Sequence, residues 1–422
     1  MSGPRATAIA AAVVHGRTPL CEQPSHTQRL TVVVDPTTGE RLDDALCVVM
    51  RAPRSYTGED VVEISCHGSP ALLRALLQIL VAHGARLAEP GEFTRRAFLN
   101  GRLELAQAEA VALLISARTE RAVKLAARGV AGELGRRLHA LRDRLLDLVA
   151  GLEVTLDFPE DGVGTEPSAA ASAVQALVAE VATLREGARR GRLVHEGMTV
   201  AIVGAPNAGK SSLLNALVGR ERAIVSPVAG TTRDVIEATL DLGGIPVRLL
   251  DTAGIGTPRD SLEAEGMKRT RSAIDDSDLL IVVVDGTAAV PHDLLEETRN
   301  RPRLIVRSKS DLGGPLAAVV TDAIPVSART GTGLDLLTAR IEQAAGAGSD
   351  SGDELMASLR QIEALAALER ALVTAEQSLK DAPLEVSLVD FREALTTLSA
   401  LLGLDVGEAV LDRIFATFCL GK

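Results

Sequence analysis

The sequence predicts an α/β domain inserted in an all-α helical bundle and preceded by a mixed α/β domain. Three observations carry this. A Gly-rich turn stands between an apolar run and a helical run at residues 200–217; apolar residues recur at helical spacing on both sides of that region; and short β-like runs occupy the first hundred residues or so. A chain of 422 residues also exceeds what one hydrophobic core usually serves.

Residues 1–104 read as the mixed α/β domain. Val32 to Asp35, Ala45 to Met50 and Val61 to Cys66 are strand-like, and Ala71 to His83 has a helical apolar pattern. Residues 105–195 form the first helical part, with stripes at Leu134, Leu138, Leu141, Leu145 and Leu148 and at Val174, Leu177, Val181 and Leu184. Residues 347–422 form the second part, with stripes at Leu355, Leu359, Ile362, Leu365, Leu368 and Leu372 and at Leu388, Phe391, Leu395, Leu398 and Leu402. Between them, residues 196–346 are the insert, and Gly346 to Gly352 is its exit linker.

Gly204-Ala-Pro-Asn207-Ala208-Gly209-Lys210-Ser211-Ser212 follows the strand-like Val200 to Val203 and opens the helical run Leu213 to Leu217. Glycines at 204 and 209 let the backbone wrap phosphate oxygens, Lys210 reaches the β and γ phosphates, and Ser211 ligates Mg²⁺. Further motifs follow in order. Asp251-Thr-Ala-Gly254 ends the strand Val247 to Leu250 and brings a carboxylate near Mg²⁺ and the Gly254 N–H near the γ-phosphate. Ser308-Lys309-Ser-Asp311 ends the strand Leu304 to Arg307, where the Asp311 carboxylate can take both the N1–H and the 2-amino group of guanine. Ser327-Ala328-Arg329, after Ile324 to Val326, turns backbone N–H groups toward the guanine oxygen. Each tripeptide is weak alone, but together over about 130 residues they predict a Ras-like P-loop G domain binding GTP. Gly243-Gly244 between Ile236 to Leu242 and Ile245 to Leu250 marks a tight hairpin in that domain.

Ile255 stands where Ras-like enzymes carry a Gln that orients the attacking water, so hydrolysis needs a substitute from the segment that follows, and no arginine finger is evident. Ser226-Pro-Val228-Ala-Gly-Thr231-Thr232-Arg-Asp234 offers hydroxyls that can close over Mg²⁺ when the γ-phosphate is present.

The chain resembles the MnmE (TrmE) family of tRNA-modification GTPases. The resemblance rests on Ser55-Tyr-Thr-Gly-Glu-Asp60, Pro90-Gly-Glu-Phe-Thr-Arg-Arg-Ala-Phe-Leu-Asn100, Leu105-Ala-Gln-Ala-Glu-Ala110, Asp157-Phe-Pro159, Gly230-Thr-Thr-Arg-Asp234 and Phe418-Cys419-Leu-Gly-Lys422. It implies that Glu263 is the catalytic glutamate, acting on the attacking water through a bridging water. It also implies that Asn207 ligates K⁺, helped by the carbonyls of Ser226 and Val228, with the cation standing in for an arginine finger. The family further implies G domains that pair across a homodimer, and an FAD-containing partner of the MnmG (GidA) type. A tetrahydrofolate one-carbon unit is then used at C5 of the wobble uridine of tRNA. Cys419 is placed near the folate pocket by the same resemblance. The family's opening strand, with its Thr-Pro and Arg-Ile-Ser-Gly elements, has no expected match in Met1 to Leu20, which points to a truncated start or a lost element. A ribosome-associated assembly GTPase, or a family member that binds GTP without modifying tRNA, shares the G motifs.

A net charge of -11 argues against a broad basic face for RNA, so tRNA contact is expected to be local or made through the partner. Arg185, Arg189, Arg190 and Arg192, and Arg95, Arg96 and Arg102, are expected to be solvated helix faces. Aromatic residues make up 2 % of the chain, against base-stacking platforms. Cys21, Cys47, Cys66 and Cys419 lack metal-ligand spacing and fit a reducing cytoplasm. No run of about 18 apolar residues predicts a membrane span. The apolar Ala6 to Val14 is short and ends in His15-Gly-Arg17, unlike an export signal.

The guanine motif departs from the usual Asn-Lys-x-Asp at Ser308, where an Asn amide would brace both base and P-loop. A Ser308→Asn variant is therefore expected to bind GTP more tightly than the natural chain; equal affinities by titration would refute this.

Overall fold

A computed structural model of the chain describes residues 1–158, 164–221, 236–251, 274–288, 291–312, 322–346, 353–404, 407–419 and 421. The chain divides into two compact units. Met1–Ala112, Val130–Ala171 and Thr374–Lys422 make the first, and Leu113–Gly129 with Ser172–Val373 the second.

In the first unit, β1 (Val14–His15), β2 (Thr27–Val34), β3 (Arg41–Met50) and β4 (Val61–Ser65) form an antiparallel meander in chain order. Strands have a side-chain period of two, so Ala45, Cys47 and Val49 of β3 share one face, and all three are buried. That face packs on two helices. Ala6–Ala11 supplies Ala6, Ile9 and Ala10, and Pro70–Ala82 supplies Leu76 and Leu80. The short apolar run near the start of the chain is thus a core helix. Burial pushes the Cys47 thiol up to about 11, as befits a core side chain.

The helical part of this unit follows its predicted stripes. Helix Glu133–Asp157 buries Leu134, Leu138, Leu141, Leu145 and Leu148 at intervals of three and four, and it packs against Leu384–Leu402, which buries Leu388, Phe391 and Leu398. An ion pair between Arg392 and Glu153, 2.7 Å, lies at this contact. Leu105, Ala108 and Val111 of helix Leu105–Ser116 join Leu411, Phe415 and Phe418 in a separate cluster.

The second unit is built on β5 (Met198–Gly204), β6 (Ile236–Leu242), β7 (Ile245–Asp251), β8 (Leu279–Asp285), β9 (Arg303–Ser308) and β10 (Ile324–Pro325), in the spatial order β10-β9-β8-β5-β7-β6. All neighbours are parallel except β6 and β7, the predicted hairpin. A sheet covered on both faces reads as continuous apolar sequence, and alternate residues then go to opposite cores. Val200 and Ile202 of β5, with Ile281 and Val283 of β8, enter one cluster, while Ala201, Val203, Leu280, Val282 and Val284 enter the other.

Several elements differ from the sequence reading. Strand β2, Thr27–Val34, begins before the expected Val32, and strand β8 is absent from that reading altogether. Leu355, assigned to a helical stripe, precedes helix Leu359–Asp381, and its N–H bonds to the Gly187 carbonyl of helix Pro167–Glu196. The segment 354–357 is buried but not helical, so its apolar residues mimic the first turn of a stripe that begins only later. The predicted linker residues 347–352 lie outside the described residues.

The turn of the β6–β7 hairpin has positive φ at both central residues, 60° at Gly243 and 82° at Gly244, the conformation that two-residue hairpin turns favour and that glycine adopts freely. It is held from outside. Thr119 Oγ1 donates to the Gly244 carbonyl at 2.7 Å, and Arg121 donates to the Gly243 carbonyl at 3.1 Å and to Glu354 at 2.5 Å.

Gly191 sits where chain and helix meet most closely: a Cβ there would lie 1.9 Å from the Leu355 carbonyl oxygen. A Gly191→Ala substitution must push the 354–357 segment off the helix, and overpacking of this kind costs about 2 kcal/mol. The expected outcome is a thermal unfolding midpoint lowered by several degrees; an unchanged midpoint would contradict this close packing.

Candidate nucleotide-binding site

The loop between β5 and helix Lys210–Arg220 is positioned by a strand that is buried to its last residue. Gly209, at φ 95°, is the N-cap of the helix, so the first turn's unpaired N–H groups open onto the loop. Asn207 also has positive φ, 61°. The carbonyls of the loop are taken up from within. Lys210 Nζ donates to the carbonyls of Gly204 and Ala205 at 3.1 and 3.0 Å, Lys309 Nζ to that of Asn207 at 3.1 Å, and Ser308 Oγ to that of Ala208 at 2.6 Å. Burial lowers the Lys210 ammonium from its ordinary value, partly offset by Asp251.

Ser211 Oγ donates to Asp251 Oδ2 at 2.6 Å. A hydroxyl and a carboxylate side by side at the mouth of the loop are hard oxygen ligands of the kind Mg²⁺ takes from a protein while phosphates and waters fill its remaining positions. Ser212 is exposed in the same turn of helix. Among the described residues no group of three or more His, Cys, Asp or Glu could hold a metal by itself.

The residues assigned to the base lie at the end of β9 and just beyond β9 and β10. Lys309 pairs with Asp285 at the end of β8, 2.6 Å. Burial alone would raise the Asp285 carboxyl, but the Lys309 ammonium and the Thr287 hydroxyl and N–H bring it below its ordinary value. Asp285 was missed from sequence; the signal was an apolar run ended by Asp-Gly. Asp311 is held below its ordinary value first by the Ser327 hydroxyl and then by the Arg329 guanidinium, which pairs with it at 3.0 Å. Ser327 is buried, its N–H donating to the Thr332 carbonyl and its Oγ accepting from the Thr330 N–H; Ala328 is half-buried and Arg329 exposed. Lys210, Ser211, Asp251, Ser308 and Lys309 are thus joined to one loop, with Asp311, Ser327 and Arg329 as a second group beside Lys309. Ser226, Val228, Thr231, Thr232, Gly254 and Glu263 lie outside the described residues.

The arginine clusters are not plain solvated faces. Arg95 pairs with Asp412, Arg96 with Glu59 and Glu92, Arg102 donates to the Ser55 carbonyl, and Arg185 pairs with Glu369. Arg86, Glu92 and Arg96, the last held also by Glu59, line a cavity of about 710 Å³ in the first unit, together with Arg5, Ile9, Leu77 and Phe93. Gly421 lines it too, and the Cys419 carbonyl accepts from the Gly91 N–H at 3.4 Å. All four cysteines are free. Among the described residues no helix is long and apolar enough to cross a membrane.

Residues 105–419 match the family model "MnmE helical domain", and residues 1–102 match "GTP-binding protein TrmE N-terminus". The protein called tRNA modification GTPase MnmE in one strain of Thermus thermophilus is 45 % identical over 423 residues, covering 100 % of this chain and 95 % of the relative. Those of Moorella thermoacetica and Koribacter versatilis are 44 % and 42 % identical, each covering 100 % of this chain and 95 % of the relative.

The charge network beside the cavity generates a pH dependence. Burial alone would raise the Glu92 carboxyl, but hydrogen bonds from Arg86, the Glu89 N–H and Arg96 outweigh it and bring it from 4.5 to about 2. A carboxylate depressed in the folded state stabilises fully above its unfolded value, and that stabilisation is lost as pH falls through the folded one. Stability of the first unit, followed by urea unfolding, is therefore expected to drop between pH 4.5 and about 2, with a shallower drop in Glu92→Gln. Equal slopes in the two proteins would remove Glu92 from the account.

Proposed function

We propose, from the premise that this chain belongs to the MnmE family, that it is a GTPase acting in tRNA modification, with its turnover stimulated by K⁺ and activated when G domains of a homodimer pair. The observation that carries the nucleotide part is the single loop around which Lys210, the Ser211–Asp251 pair and the Ser308–Lys309 pair converge. In this reading the loop N–H groups and Lys210 bind the phosphates, the ammonium keeping its two carbonyl partners and turning its third hydrogen to a phosphate oxygen. Ser211 and Asp251, with Thr232, hold Mg²⁺, which when bound neutralises charge on the β and γ phosphates. Asp311 takes the donor edge of guanine, and the N–H groups of Ala328 and Arg329 take its oxygen, that of Ser327 being held by the Thr332 carbonyl.

Glu263 orients the attacking water and the Gly254 N–H meets the γ-phosphate. Asn207, with the carbonyls of Ser226 and Val228, holds K⁺ beside the leaving oxygens, where a fixed positive charge favours the transition state over the ground state. The division into residues 1–104, 105–195, 196–346 and 347–422 belongs to the same proposal. So do the cytoplasmic location, the FAD-containing partner of the MnmG type, and the wobble uridine of tRNA as the modified base. A tetrahydrofolate derivative is assigned to the first unit, where Arg5, Arg86 and Arg96 around the cavity suit a ligand with carboxylates.

GTP turnover measured in K⁺ and in Na⁺ at equal ionic strength tests the catalytic assignment. The expected result is stimulation by K⁺ of roughly tenfold or more, and a fall of about 100-fold in Glu263→Ala, the scale of a lost general base. Equal slow rates in both salts, with natural chain and variant alike, would overturn the roles of Asn207 and Glu263.

A further inference from the structure

We infer that Ser308 positions the phosphate loop and reads nothing of the base, so that guanine is recognised through Asp311 and backbone N–H groups while its N7 goes unread. The inference rests on the guanine reading above and specifies how that pocket works. Ser308 is the last residue of β9 and is 7 % exposed. Its Oγ lies 2.6 Å from the Ala208 carbonyl oxygen and 3.3 Å from that of Val284. Carbonyls cannot donate, so the single hydroxyl hydrogen is directed at one of these two oxygens. The neighbouring donor is directed away as well, because two of the three hydrogens of the Lys309 ammonium are held by Asp285 at 2.6 Å and by the Asn207 carbonyl at 3.1 Å, which fixes the side chain on the loop.

Guanine presents two donors, N1–H and the 2-amino group, and two acceptors, O6 and N7. An ionised Asp311 matches the donors, and the loop 327–329 can match O6. N7 needs a further donor. The hydroxyl of Ser308 has no hydrogen left for it, and the Lys309 ammonium is turned toward Asp285 and the loop. A side chain with two amide hydrogens could hold the loop carbonyl and still donate to the base; a hydroxyl must do one or the other. In this chain the hydroxyl is on the loop. Ser308 therefore acts on the phosphate end of the nucleotide, through Ala208, although its motif belongs to the base end.

The test compares GDP with 7-deaza-GDP, in which a C–H replaces N7, by titration of the full chain, with ADP as control. GDP and 7-deaza-GDP are expected to bind within about twofold of each other. Ser308→Ala is expected to weaken both by the same factor, about 3- to 10-fold for one lost hydrogen bond. Ser308→Thr, which keeps the hydroxyl, should restore both. A natural chain that binds 7-deaza-GDP at least about fivefold more weakly overturns the inference, and this comparison stands even if a variant fails to fold. So does a folded Ser308→Ala with unchanged affinities. A chain that binds ADP as well as GDP sinks the guanine reading itself, which separates that failure from a failure of the role given to Ser308.

Discussion

The loop at Gly204 to Ala208 must keep its carbonyls away from a phosphate while leaving its N–H groups free, and the rest of the second unit can be understood as the means of doing so. Carbonyl oxygens pointing at an anion would repel it and cancel the attraction of the N–H groups. Lys210 holds two of these carbonyls, Lys309 a third and Ser308 a fourth. Because Ser308 and Lys309 come from the end of β9, the loop at the end of β5 keeps its shape only while β8 spaces the two strands apart. The apolar filling of both sheet faces therefore bears directly on phosphate chemistry: it fixes the distance across which a serine hydroxyl reaches a backbone oxygen.

Most of this was legible in the sequence where periodicity or a motif with strict geometry was present. The regularly spaced leucines of 134–148 and 388–402 could satisfy only a one-sided helix, and the Gly243-Gly244 turn only a hairpin. Strand β8 was invisible because Leu279 to Val284 is apolar without alternation; a run buried on both faces carries no period. Its end residue Asp285 went unseen with it. Leu355 misled for the opposite reason, since a buried non-helical segment happened to continue the spacing of the helix that follows. The arginines of 95–102 were read as solvated because, Glu92 beside Arg96 apart, their partners are far away in sequence: Arg96 meets Glu59, 37 residues back, and Arg95 meets Asp412 near the other end of the chain.

Those partners also explain how an acidic chain keeps a cationic cavity. Arg86 and Arg96 share Glu92, and Arg96 shares Glu59 with the Ser2 hydroxyl, which lies 2.8 Å from it. Each guanidinium has five donors, so one carboxylate does not exhaust it. The carboxylates fix the orientation of the fork while leaving N–H groups for a ligand, and they keep the local charge from depending on the overall balance of -11.

The clamp on the β6–β7 turn has a consequence for the two sequence stretches that adjoin those strands. Residues 222–235 run into β6, and residues 252–273 leave β7. Sliding the hairpin by one residue along its length would carry the Gly243 and Gly244 carbonyls about 3.4 Å from their donors, farther than a hydrogen bond can stretch. With Thr119, Arg121 and Glu354 in place, the turn is a fixed origin. Position along each strand is measured from it, and so is the point in space from which each of the two stretches departs.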